Sequence, residues 1–203
     1  MTIEKGSPYG EAGALADDGV IVASDAEAAL VVTEARAGGH PVPALGLLGG
    51  DLCRTLGGPG DVERLRSADA TTFPVDLGCV LIDGRRHFFV AHLAAHRRGW
   101  AGRFAVAMNA EWMGELDLGP RAHPGDGLLD VTEGQLGLRE RLVARRRART
   151  GTHLPHPDLR VTRSGKVELS FPDGVPVFLD GVPVGEGREL LVHVEPDALT
   201  VVV

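Results

Sequence analysis

A short glycine-containing segment is the first place where the residue types could bind a charged ligand. Gly49-Gly50-Asp51 follows the apolar run Leu45 to Leu48 and precedes a run with helical character. Glycines let the backbone approach a phosphate closely, and the first amides of a helix point their N–H groups at anions. Two glycines make only a short cradle. The segment therefore predicts either residual anion binding or a tight turn in which Asp51 caps the next helix.

Two aspartates stand in turn signals. Because Asp126 and Asp180 each precede a glycine in a standard turn dipeptide, a structural role in a turn is the simpler interpretation of both.

Two groups of histidines do not amount to a metal site. A proline separates His153 from His156 and prevents them from sharing a helical face, whereas His87, His92 and His96 fall in or near one predicted strand. No further ligand pattern accompanies either group, so we predict no zinc ion.

Composition excludes several classes of protein. The chain has 203 residues, 43% of them hydrophobic, which is enough for one large or two small domains. The beginning of the sequence lacks the features of a signal peptide, and the net charge of −7 argues against nucleic-acid binding. The two cysteines, Cys53 and Cys79, suit a reducing compartment, so we expect a cytoplasmic protein. Cys53 follows the predicted helix start, and the sequence leaves open whether its thiol is reactive.

An arginine-rich segment, Arg139 to Arg149, interrupts the acidic chain. One interpretation is a solvated helix that packs on the rest of the protein through Leu136, Leu138, Leu142 and Val143. The alternative is peripheral contact with an anionic membrane.

The first part of the chain predicts a small α/β unit. Residues 1–19 are polar and interrupted by glycine and proline, which is typical of a flexible or draped arm. A strand at Val20 to Ala23 precedes Ser24 and Glu27, whose spacing predicts a capping box and a helix to about Ala37. A second strand follows at Leu45 to Leu48. Residues 20–72 thus predict a reduced βαβ unit.

From residue 73 to 203 the pattern changes to short strands separated by turn signals. One helix interrupts them, expected from Gly134 to Arg149. This part predicts an antiparallel β-sandwich and the whole chain an α+β fold. The expected strands are Val75 to Ile82, His87 to Ala94, Phe104 to Asn109, Leu128 to Thr132, Leu159 to Thr162, Val167 to Phe171, Val177 to Leu179, Leu190 to Val194 and Leu199 to Val203.

Five motifs in order resemble the diacylglycerol kinase and sphingosine kinase superfamily of lipid kinases, the YegS-like proteins. They are Gly46 to Gly57, Pro74 to Gly78, Asp126 to Val131, Gly151 to His153 and Asp180 to Gly185. The resemblance implies an ATP-binding α/β domain followed by a lipid-kinase β-sandwich. It also implies transfer of the γ-phosphate of MgATP to a lipid hydroxyl. The resemblance further implies that Asp126 and Asp130 could share a divalent cation, although such hard cations take several oxygen ligands and only two carboxylates stand here. It leaves Asp180 as a residual candidate for a catalytic carboxylate.

The chain departs from the family pattern in four places. The family's GGDGT loop is replaced by Ala23 to Glu27, its second loop is shortened to Leu48 to Asp51, and valine stands at position 182 in place of a glutamate. The chain also has fewer residues ahead of the first strand than the family has. The resemblance therefore implies a catalytically impaired protein with no expected cofactor. The alternative is an active kinase that uses ATP and Mg²⁺.

Lipid binding and self-association complete the expectations. If the sandwich keeps a lipid-accepting cleft, its lining is expected to be apolar and aromatic. The side chains proposed for it are Phe88, Phe89, Met108, Trp112 and Met113. A reduced α/β unit would expose sheet edges, so a homo-oligomer that binds a lipid-like small molecule or acts as a regulatory subunit is the expected form.

Overall fold

Strands make up most of the regular secondary structure, as the sequence pattern predicts. The computed structural model describes residues 9–203, and positions 1–8 of the expected arm lie outside the described residues. The first elements in the chain are β1 (Glu11–Ala12), β2 (Val20–Val22), α1 (Asp25–Gly38), β3 (Leu45–Leu47), α2 (Asp51–Thr55) and α3 (Val62–Leu65). Among the described residues no helix has the length and apolar character needed to cross a membrane.

The remaining elements are mainly antiparallel strands. They are β4 (Thr71–Ile82), β5 (Arg85–Phe89), β6 (His92–Ala95), β7 (Arg103–Met108), β8 (Trp112–Met113), β9 (Leu116–Asp117), β10 (Leu129–Gln135), α4 (Leu138–Ala148), β11 (Leu159–Ser164), β12 (Lys166–Leu179) and β13 (Val182–Val202).

One sheet of 11 strands connects the two parts of the chain. Its main order is β1-β4-β13-β12-β6-β7-β10-β11, and β8 and β9 form a separate small hairpin. The strands β2 and β3 pair in parallel, and β3 pairs in parallel with the last residues of β13. The final strand therefore belongs to both the βαβ unit and the antiparallel sandwich.

The sheet folds over so that its inner faces form one core. Leu93, Ala107, Val131, Val177 and Val192 come from five different strands and are fully buried there. A second core lies between α1, the parallel strands and the opposite face of β4 and β13. These two cores establish the α+β class with an antiparallel sandwich, as predicted.

Helix α1 begins where the capping box predicts. The Glu27 amide donates to Oγ of Ser24 at 3.2 Å, and the Ala23 amide donates to Oε2 of Glu27 at 2.7 Å. Gly39 ends the helix in the left-handed conformation, with φ 68°, which glycine adopts without strain.

Several predicted boundaries were wrong. The helix predicted from Gly134 begins at Leu138, because residues 134–135 still pair with Phe104 and Arg103 of β7. The four short strands predicted near the end of the chain form only two, β12 and β13, each with an irregular pairing that bends it without ending it. The strand predicted from His87 to Ala94 is broken at Val90 and Ala91, for a reason that lies in the site described below.

The Pro74-to-Gly78 motif is structural. Asp76 is fully buried, and its carboxylate accepts the amides of Gly127 at 2.7 Å and Asp197 at 2.9 Å, so it joins β4 to two loops. A Cβ on Gly78 would overlap the ring of Phe89, so only glycine fits there.

Candidate functional site

The Asp25 carboxylate occupies the start of α2. The amides of Asp51 and Leu52 donate to its two oxygens at 2.5 Å and 3.2 Å. These amides are the donors that an anion at Gly49-Gly50-Asp51 would need. The predicted anion remnant is therefore filled by a side chain of the same protein, which favours the tight-turn interpretation. Asp51 does not cap the helix as predicted, because it is the first helical residue and its carboxylate accepts the amide of Gly114 instead.

The two glycines of this turn have identifiable roles. Gly50 has φ 97°, and a Cβ added to it would lie 2.5 Å from an Asp25 carboxylate oxygen. A Cβ at Gly49 would lie 2.7 Å from the carbonyl oxygen of Ala23. The backbone must therefore approach the strand–helix turn of the first unit closely, and this packing alone requires glycine at both positions.

Asp180 lies at the centre of a second set of amides. Its side chain is fully buried and accepts N–H groups from Val90, Ala91 and His92 at 2.8–2.9 Å. Because three consecutive amides turn toward this carboxylate, they leave the β-ladder and break the predicted strand into β5 and β6. Asp180 itself has φ 49° in the turn between β12 and β13. Asp180 therefore lies in a turn, as the sequence indicates, and its carboxylate also binds three backbone amides, which a turn residue does not need to do.

His92 lies between two of the carboxylates. Its Nε2 is 3.6 Å from an oxygen of Asp51, and its Nδ1 is 3.5 Å from an oxygen of Asp180. The imidazole is 5% exposed. A site of three carboxylates and one imidazole, here called the acid cluster (Asp25, Asp51, His92 and Asp180), thus joins the βαβ unit to the sandwich.

Burial and like charge keep protons in the acid cluster. Burial, followed by the nearby charge of Asp180, raises the pKa of Asp25 to about 7, against the lowering effect of its amide donors. Burial likewise raises the pKa of Asp180 to about 6, although three backbone amides lower it. Burial lowers the pKa of His92, and the carboxylates of Asp51 and Asp25 oppose this effect. The cluster therefore carries less charge at neutral pH than its formal count.

The small hairpin of β8 and β9 is tied to α2. The amide of Gly114 donates to the Asp51 carboxylate at 3.0 Å, and the Arg54 guanidinium lies 3.4 Å from the centre of the Trp112 ring. Arg54 also donates to the carbonyl oxygen of Gly114 at 2.9 Å. Trp112, predicted as pocket lining, thus packs on an arginine at the edge of the acid cluster.

An apolar pocket of about 480 Å³ lies between α4 and the outer face of the sandwich. Trp100, Phe104, Val106, Met113 and Leu136 are among the side chains that line it. A neighbouring cavity of about 430 Å³ is lined by Asp51, His92 and Asp180. Met113 and His96 line both spaces, so the apolar pocket adjoins the acid cluster.

Of the five side chains proposed for a lipid pocket, only Met113 lines this space. Phe89 is fully buried in the sandwich core, Phe88 packs against the second core, and Met108 is buried on the outer sheet face. The sequence reasoning missed the loop and helix residues that line the pocket, such as Trp100 and Leu136.

The aspartates proposed for a divalent cation face an arginine. Arg163 is paired with Asp126, and its Nε lies 3.5 Å from Asp130. Burial raises the pKa of Asp130, and Arg163 opposes this shift. The guanidinium thus supplies positive charge where the cation would lie, and the ion remains a prediction that this pairing disfavours.

The other sequence candidates have simple placements. Cys53 is buried, and burial raises the pKa of its thiol, which argues against a reactive thiolate. His153 is buried beside the apolar pocket. Leu138, Leu142 and Val143 of α4, predicted to pack on the rest of the protein, are 68%, 65% and 46% exposed, and the first two lie at the mouth of that pocket. The predicted packing stripe is therefore wrong for these three residues, whereas Leu136 is buried.

Comparison with known families agrees with this architecture. The model of the YegS C-terminal NAD kinase beta sandwich-like domain matches residues 72–203. The chain belongs to this family. The resemblance to YegS-like lipid kinases inferred from the five sequence motifs is thereby confirmed. No curated protein matches the sequence.

Several solved structures share the fold. A crystal structure from Bacillus anthracis str. Sterne, designated as a diacylglycerol kinase, has a TM-score of 0.65 and 15% sequence identity. The match covers 91% of this chain and 77% of the Bacillus chain. Another structure named as a diacylglycerol kinase from the same organism has a TM-score of 0.62 and 16% sequence identity, and the match covers 91% of this chain and 75% of the other. At such identities the likeness establishes the fold alone.

The raised pKa of Asp25 gives a test of the acid cluster. Its ordinary value is near 3.8 and its folded value about 7, so the stability it contributes is full below about pH 4 and is lost as the pH rises through 7. Asp25→Asn removes this pH-dependent loss, while its missing acceptor oxygen lowers stability at every pH. We expect the stability of Asp25→Asn to rise relative to wild type between about pH 5 and pH 8, measured by urea unfolding.

Asp69→Asn is the matched control, because it removes an exposed carboxylate from a loop outside the cluster. Its stability relative to wild type is expected to stay constant across the same range. A constant difference for Asp25→Asn as well would contradict the proton-retaining cluster.

Proposed function

We propose that this protein is a catalytically impaired member of the YegS-like family that binds a lipid-like molecule in the apolar pocket beneath α4. The observation that carries the proposal is the pocket itself, which is about 480 Å³ and lined mainly by aliphatic and aromatic side chains. Spaces of this size and character are typical of small-molecule sites.

The approach to the pocket suits an amphipathic ligand. The exposed Leu138 and Leu142 flank its mouth, and Arg141 and Arg145 of the same helix also line it. Guanidinium groups at the rim would meet an anionic or polar head group while the apolar chain lies inside. Contact of this helix with an anionic membrane is part of the same proposal.

The catalytic impairment is supported by how the acidic groups are used. Asp25 binds the first amides of α2, and Asp180 binds three amides of the break between β5 and β6. Valine follows the Asp180-Gly181 turn, and a valine cannot accept a proton from a lipid hydroxyl. Neither the phosphate cradle nor the general base of a kinase is therefore available in this arrangement.

Filling the pocket tests lipid binding. Ala144 faces the pocket from α4, so Ala144→Trp places an indole in the space and is expected to weaken binding of a fluorescent NBD-labelled diacylglycerol roughly tenfold or more. The probe is supplied in phosphatidylcholine vesicles with and without phosphatidylglycerol, and stronger transfer from the anionic vesicles supports the membrane contact.

Val143→Trp is the matched control for this experiment. Val143 is the adjacent residue of α4, is 46% exposed and does not line the pocket. Equal binding by wild type and Ala144→Trp, or an equal loss in both tryptophan variants, would contradict the assignment of the pocket.

The impairment is tested by phosphotransfer. With MgATP and either a diacylglycerol or a sphingoid base, we expect no transfer and no thermal stabilisation by MgATP, because the amides at α2 are already bound to Asp25. Transfer that Asp51→Asn abolishes would instead establish the alternative, an active lipid kinase. That alternative is favoured by one observation, the position of Asp51, His92 and Asp180 in a cavity next to the apolar pocket.

Self-association and location are further parts of the proposal. Leu30 of α1 and Val62 of α3 are 56% and 50% exposed, and a second copy of the chain would cover such apolar side chains. Light scattering is expected to give the mass of a dimer or larger oligomer, and a strict monomer would contradict this part. We place the protein in the cytoplasm because both of its cysteines are free.

A further inference from the structure

A cysteine, a histidine and a glutamate meet on the face of the sheet that α1 covers, outside both cavities. Cys79 of β4 lies directly opposite His193 of β13, and Glu195 follows His193 by two residues. Because residues two apart on a strand point to the same face, the strand pairing places all three side chains together. Their ligand atoms lie within 4.8 Å of one another, the only such group of three found in residues 9–203.

We propose that Cys79, His193 and Glu195 form a binding site for Zn²⁺ or a similar divalent transition metal. A thiolate, an imidazole and a carboxylate are the ligands that zinc takes in proteins, and three of them leave a fourth position for water. Bond lengths of about 2.0–2.3 Å place the ligand atoms of a tetrahedral ion about 3.3–3.6 Å apart. The three ligand atoms are at most 4.8 Å apart, so side-chain rotations that move each atom by about 1 Å bring the group to that spacing.

The burial of the three residues suits a metal better than a reactive thiol. Cys79 has no exposed surface, so a substrate cannot reach its sulfur. His193 and Glu195 are only partly buried, and an ion can approach between them. Since Cys53, the other cysteine, donates to the carbonyl of Leu47 beneath α2, it is engaged elsewhere.

One ligand is already oriented by an arginine. Arg36 of α1 donates to Oε2 of Glu195 at 2.7 Å, which fixes the carboxylate and leaves Oε1 for the ion. Arg163 differs, because it contacts both aspartates of the other candidate cation site. When a metal binds, the Cys79 thiol gives up its proton to solvent, and a metal–sulfur bond replaces the S–H bond.

Cobalt provides a direct test, because Co²⁺ occupies zinc sites and reports thiolate ligation by a charge-transfer band in the near ultraviolet. The full-length protein, treated with a chelator and then titrated with Co²⁺, is expected to bind one ion per chain with this band, and Zn²⁺ is expected to displace it. Cys79→Ala is expected to abolish the band, and His193→Gln and Glu195→Gln are expected to weaken binding about tenfold or more.

Cys53→Ala is the matched control, since it removes the other buried cysteine and is expected to leave the band unchanged. Circular dichroism establishes that each variant is folded, and the two partly exposed ligands provide the test if Cys79→Ala does not fold. No charge-transfer band in wild type, a band that persists in Cys79→Ala, loss of the band in Cys53→Ala, or unchanged affinity in His193→Gln would overturn the site. None of these measurements depends on lipid binding or phosphotransfer.

Discussion

The hydrogen bonding of buried carboxylates to backbone amides is the constraint on which the architecture of the cleft depends. Asp180 draws the amides of three consecutive residues out of the ladder, which ends β5 and starts β6, and its own amide donates to the carbonyl of His92. Asp25 binds the start of α2 in the same manner. Burying an ionised carboxylate without such donors would cost several kcal/mol of folding free energy. If the carboxylate and its amides were separated, both the charge and the amides would be left without partners.

The same constraint determines what chemistry is open to the cluster. An enzyme that transfers phosphate needs free donors for the phosphate and an ionised carboxylate near the accepting hydroxyl. Here the donors at α2 are occupied by Asp25, and the amides of residues 90–92 are occupied by Asp180. A second anion would thus meet like charge and few unoccupied amides. The carboxylates serve the junction between the βαβ unit and the sandwich.

Local sequence rules predicted the elements whose causes are local. Ser24 caps α1 as expected by accepting the Glu27 amide, and the Glu27 carboxylate accepts the amide of Ala23, one residue before the cap. The break at Val90 could not be predicted, because its cause is the carboxylate of Asp180, far along the chain. The Gly50 turn was recognised, yet its partner Asp25 becomes evident only when β2 and β3 pair. The apposition of Cys79 and His193 likewise follows from strand register, which an apolar alternation does not specify between distant strands.

The two cavities share a wall but depend on different parts of the structure. The His96 ring stacks between Trp100, at 4.2 Å, and Phe178, at 4.9 Å, and forms a wall that the two spaces share. The apolar pocket depends on α4, the aromatic stack and the outer sheet face, none of which needs the acid cluster to ionise. Valine at position 182 follows the Asp180 turn and likewise does not line the apolar pocket. A change in the acid cluster or in this turn therefore leaves the apolar lining intact.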